Sequence, residues 1–150
     1  MQTRFKLLTA LVLAGTALSA HAQFKPEEQI QYRQGIMKAI RWNFVPMGAM
    51  VQNKMPFDQA VFLRNAQRLQ ALSTMPWEGF GPGTDSGAPN KARPEVWSNV
   101  AGYKQAQDAF VAEVPKLVAA AQGGNQDQIK AAFEGVGKTC GNCHDNFRSK

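Results

Sequence analysis

The C-terminal segment constrains the chain most. Ile129, Phe133, Val136, Cys140, Cys143 and Phe147 recur at steps of 4, 3, 4, 3 and 4, the spacing of one face of an α-helix. Both cysteines therefore ride the apolar face of an amphipathic helix, and His144 follows the second directly. The rest of the chain repeats this period. Ile30, Met37, Ile40, Phe44, Met47 and Val51 form one stripe, with Arg33 at its missing position. Pro26 and the acids Glu27 and Glu28 make a favourable start for that helix, and Pro46 is expected to kink it. Asn53 to Pro56 reads as a turn. A second helix is predicted over about Phe57 to Ser73, with Phe62, Ala66, Leu69 and Leu72 on one face.

Pro94-Glu95 opens a third predicted helix whose seam runs through Val96, Val100, Tyr103, Phe110, Val114, Leu117 and Ala121, past Pro115, to Gly123-Gly124. Asn125 caps the fourth. No useful stretch alternates with period two. The expectation is an all-α fold, an antiparallel four-helix bundle. Its one long connection, residues 74 to 93, holds four Gly and three Pro. A loop of that length is functional or disordered, and Trp77 and Phe80 within it argue for order because large aromatics gain much from burial.

The N-terminus reads as an export signal. Arg4 and Lys6 precede an apolar run from Leu7 to Ala20, and Ala20-His21-Ala22 fits a small-x-small cleavage site. Residues 1–22 are expected to be removed after Ala22, leaving a single domain over 23–150 with 15 basic and 11 acidic residues, a net charge of +4. The apolar run is too short for a membrane span. With no basic cluster, the charge is no nucleic-acid footprint. Two cysteines make no disulfide framework, and a mature chain whose one histidine is His144 cannot build a site that needs two imidazoles.

Cys140-Gly141-Asn142-Cys143-His144 is the C-x-x-C-H attachment sequence of c-type haem. Two thiols add across the porphyrin vinyl groups, and positions i, i+3 and i+4 share a helix face, so the imidazole can reach the iron while the sulfurs hold the rim. Three other readings exist. A redox Cys pair favours helix N-termini, whereas this one lies late in its helix. Zinc lacks a fourth Cys or His ligand. A simple disulfide is conceivable in an exported protein. A haem pocket between helices would bring Met37 to the iron opposite His144, or leave it as core filler. Arg33, one turn earlier on the same face, needs a partner. A haem propionate fits its fork geometry, and solvent at the helix end is the alternative. Arg148, four residues past His144, lies beside the imidazole or is simply solvated.

The mature chain resembles cytochrome c′, a class II cytochrome c. The resemblance lies in Lys25-Pro26-Glu27, the segment Tyr32-Arg33-Gln34-Gly35-Ile36-Met37, residues Pro76 to Thr84, Arg93-Pro94-Glu95-Val96-Trp97, and the C-x-x-C-H-x-x-x-R run ending at Arg148. It implies a periplasmic homodimeric bundle with one covalent haem c near the end of the fourth helix. Cys140 and Cys143 would be the thioether anchors and His144 the axial iron ligand. Arg33 and Gln34 would contact the haem near its propionates, Met37 would fill the distal face uncoordinated, and Trp77 and Phe80 would surround the haem. Arg148 would be the basic residue on the proximal side. The implied function is binding of diatomic gases such as nitric oxide and carbon monoxide at a high-spin, five-coordinate iron, without catalysis; the redox partner is unidentified. Related class II proteins bind both His and Met at a low-spin iron and carry electrons, which makes Met37 the residue that decides between the two.

Overall fold

The computed structural model describes residues 24–150; the expected export signal and cleavage site lie outside them. The elements are α1 (Pro26–Val51), α2 (Gln59–Leu72), a 3-10 helix (Met75–Phe80), α3 (Glu95–Ser98), α4 (Val100–Gly123) and α5 (Gln126–Phe147). The helix starts follow local chemistry. The Lys25 backbone N–H donates to the Glu28 carboxylate at 2.8 Å. Asp58 accepts from the Val61 N–H, and Asn125 from the Gln128 N–H. At its far end α4 stops where Gly124 turns left-handed, at φ 73°.

The four long helices pack in a ring, α1 on α2, α2 on α4, α4 on α5 and α5 back on α1. Phe62, Leu69, Met47, Val114, Leu117, Ile129 and Val136 are fully buried between them, each worth about 1.5–3 kcal/mol of burial. Phe44 of α1 stacks on Phe133 of α5 with ring centroids 4.3 Å apart. A smaller apolar cluster of Val96, Tyr103, Ala106 and Phe147 lies beside it, covered by Trp77, Phe80 and Trp97.

One expectation changes. The third helix does not run unbroken from Pro94. Asn99 leaves helical geometry (φ −113°, ψ 61°) and its side chain caps the Gly102 N–H at 3.1 Å, so α3 ends and α4 begins there. The break turns Val100 outward, 65% exposed, instead of into the seam. Pro46 and Pro115 both sit inside helices that continue through them. The long connection is ordered around the 3-10 helix, and its end pairs with the C-terminus. Arg93 N–H donates to the Phe147 carbonyl at 3.0 Å, and Ser149 N–H to the Lys91 carbonyl at 2.9 Å.

Candidate functional site

A cavity of ≈ 660 Å³ opens between the two apolar clusters, within the ~300–1,000 Å³ of small-molecule and cofactor pockets. α5 contributes Cys140, Cys143, His144 and Phe147 to its wall. This follows from their i, i+3, i+4 and i+7 spacing. α1 contributes Gln34, Met37, Ile40 and Phe44, and α4 contributes Tyr103, Ala106 and Phe110. Trp77 and Phe80 close the side formed by the long connection. Arg33 and Arg148 complete the set, so every sequence-predicted site residue borders this one cavity.

The sulfur chemistry narrows the readings. Cys140 and Cys143 are separate thiols. Burial raises the pKa of both, and with Cys140 beside it the Cys143 thiol is pushed up to about 11. They are therefore neutral near pH 7, the reverse of the low-pKa thiolate that a redox Cys pair needs. No group of three or more Cys, His, Asp and Glu gathers as a metal cluster among the described residues. Desolvation, then the Arg148 charge, lowers the His144 pKa, while Asp145 opposes them. The imidazole is thus held toward the neutral form that ligates metal.

Arg33 is 3% exposed, so the solvated alternative does not hold. Its guanidinium donates from Nη1 to the Gly79 carbonyl (2.7 Å) and to Thr84 Oγ1 (2.9 Å), and from Nη2 to the Thr84 carbonyl (2.8 Å). It also lies 4.3 Å from the Phe80 ring centroid. The residue pins the long connection to α1. Gly79 permits the approach: a Cβ there would stand 2.6 Å from the Gln29 carbonyl oxygen. Gln34 adds a bond to the Pro89 carbonyl at 3.0 Å. Sequence reasoning named Gly79 and Thr84 only within the Pro76–Thr84 resemblance and Tyr103 only as a seam position, and assigned none of them to the site.

The residues fit a haem. Two thiols and an imidazole share one wall, and apolar groups face them. The buried Trp77 Nε1 and Tyr103 Oη have no hydrogen-bond partner. No carboxylate pairs with the buried Arg33 cation among the described residues, and desolvation lowers its pKa. An anionic cofactor substituent would answer both deficits.

Comparison with known proteins agrees. The model of the family described as Cytochrome C′ matches residues 28–148. Cytochrome c′ of Alcaligenes xylosoxydans xylosoxydans is 43% identical over 126 residues, covering 84% of this chain and 97% of the relative. That of Rubrivivax gelatinosus is 45% identical over 126 residues, covering 84% and 98%. The crystal structure of the Rubrivivax gelatinosus protein superposes with a TM-score of 0.81 over 83% of this chain and 98% of its own. A nitric oxide complex of a single-residue variant of the Alcaligenes xylosoxidans protein, 43% identical, superposes at 0.78 over 84% of this chain and 97% of its own.

Proposed function

We propose that this chain, which belongs to the cytochrome c′ family and so carries haem c, binds small uncharged gases at a high-spin, five-coordinate iron. The observation that carries the reading is the make-up of the cavity. The attachment motif forms one wall, α1 brings Met37, Ile40 and Phe44 to the lining, and no carboxylate is among the lining residues. Nitric oxide and carbon monoxide complexes of variants of the Alcaligenes xylosoxidans protein support gas binding.

When bound, haem c supplies an iron that takes a diatomic ligand or one electron. Cys140 and Cys143 would hold it through thioethers, and the His144 imidazole would ligate its iron. Met37, on the α1 side of the cavity, would crowd a gas ligand with a flexible apolar chain that offers no hydrogen-bond donor. Arg33 and Gln34 lie toward the propionates, and Trp77 and Phe80 exclude water from the porphyrin edge. Arg148 stands on the imidazole side.

The protein acts in the periplasm after cleavage at Ala22. No helix among the described residues is long and apolar enough to cross a membrane. It pairs with a second copy through α1, where Trp42 is 79% exposed. The absorption spectrum of the ferric holoprotein tests the reading. A high-spin spectrum is expected. A low-spin, methionine-ligated spectrum would mean that Met37 fills the sixth position and that the protein is an electron carrier.

A further inference from the structure

A second cavity, of ≈ 300 Å³, lies where α3 gives way to α4. Trp77, Phe80, Val96 and Tyr103 line both this space and the larger cavity. Because each of the four borders both spaces, the partition between them is one side chain thick. Val96 is the smallest of the four and carries no polar atom, so its motion opens a gap without breaking a hydrogen bond. The outer wall is firmer, since the Trp97 indole N–H donates to the Phe80 carbonyl at 3.2 Å. Val100, turned outward by the break at Asn99 and 65% exposed, stands at the outer edge. No residue of α1 lines the second cavity, so a path through it does not pass Met37.

We infer that this second cavity binds small uncharged gas molecules and is a side entrance through which they cross the partition, beside Val96, into the larger cavity. The inference rests on the gas-binding reading and adds a site and a route to it. The lining selects the occupant. Its one charged residue, Lys104, is already paired with Asp108 at 2.6 Å, so an anion finds no free counter-charge. The Trp97 N–H is spent on the Phe80 carbonyl. What remains is chiefly the apolar surface of Val96, Val100 and the aromatic rings, which suits an apolar guest. The volume lies at the bottom of the ~300–1,000 Å³ range of small-molecule sites, ample for a diatomic molecule and too small for a second large cofactor.

Two measurements on the holoprotein test this: crystals under xenon pressure, and flash photolysis of the ferrous carbon monoxide complex. Xenon probes apolar cavities, and its density is expected between Trp97 and Val100. A groove that stays empty of xenon would overturn the inference. Val100→Trp and Gln107→Trp fill the second cavity from positions that do not line the first. Each should slow carbon monoxide association by about threefold or more, equal to ~0.65 kcal/mol on the entry barrier, with the absorption spectrum unchanged. Ala101→Trp adds bulk at an exposed neighbouring position outside the groove and should leave the rate unchanged. Val96→Ala thins the partition and should speed association, but not when combined with Val100→Trp, since the two changes act on one path. Equal acceleration with and without the block would route the gas elsewhere and overturn the inference. Rates unmoved by both blocks, or slowed no more than by Ala101→Trp, would overturn it too. A ferrous protein that takes up no carbon monoxide would remove the gas-binding reading and the entrance together, whereas the xenon and coupling outcomes bear on the inference alone.

Discussion

Replacing Arg33 by Met keeps an apolar chain of similar reach and deletes the fork that pins the long connection. The cost follows from what is left behind. The carbonyls of Gly79 and Thr84 lose their donor in a buried place, at about 1–3 kcal/mol each. Thr84 Oγ1 keeps its own bond to the Gly81 carbonyl at 2.7 Å, so it adds little. Loss of the guanidinium over Phe80 adds about 1 kcal/mol. Against these stands relief of the desolvated cation, several kcal/mol in the other direction for a charge without a carboxylate partner. The balance favours loss by about 2–3 kcal/mol, because the orphaned carbonyls belong to residues that stay buried, Gly79 and Thr84. Urea unfolding of the holoprotein measures it. With a slope of ~2 kcal/mol/M, the midpoint should fall by about 1–1.5 M, and amide exchange at Thr84, whose N–H donates to Gly81, should accelerate. A midpoint within about 0.2 M of the unsubstituted protein would show that the loop is held by its aromatics and that the guanidinium is no strap.

The same packing gives further expectations. Gly79→Ala should cost about 1–3 kcal/mol, since its Cβ would stand 2.7 Å from the Arg33 Cβ; a neutral result in thermal unfolding would contradict that close approach. Thr84→Val, which keeps shape but loses both hydroxyl bonds, should cost about 1–2 kcal/mol by the same measurement. Met37→Ala should speed carbon monoxide binding to the ferrous protein in flash photolysis, and an unchanged rate would remove Met37 as a gate. The Glu95 carboxyl sits below the usual range, held by its own backbone N–H and by Arg93. Its contribution should be full above about pH 4.3 and fade as pH falls through the lower folded value. The small stability gap between Glu95→Gln and the unsubstituted protein should therefore close in acid, and a gap persisting at pH 2 would refute the assignment.

The helical core and attachment wall were legible because their signal is periodic and local. The stripe from Ile129 to Phe147 states in one dimension which face of α5 is buried, and the cysteines lie on it. The break at Asn99 was not legible, because Val96 and Tyr103 stay in phase across it and the seam reads as continuous. Only the competition between an Asn cap and one more helical turn decides the point, and it falls to the cap. Arg33 shows a second kind of limit. Its position on an apolar stripe announces a buried charge that needs partners. The partners lie 46 and 51 residues away in an irregular segment, where no periodicity reports which carbonyl returns.

This arrangement separates stability from ligand selection along α1. Arg33 and Met37 are one turn apart and border the same cavity, yet they answer to different forces. Arg33 is 3% exposed and tied by three bonds to a distant segment, so its replacement loosens the wall. Met37 is half-buried, packs only along the edge of the core and faces space that already exists. Truncating it enlarges a cavity without breaking a sealed contact, so its cost should fall at or below the low end of the ~2–5 kcal/mol seen for core Met→Ala changes. Phe62, fully buried, should cost about 3–5 kcal/mol when truncated. A position cheap for folding and adjacent to the attachment wall is where a side chain can change while the bundle stays intact, so the proposed role of Met37 is testable without loss of the fold.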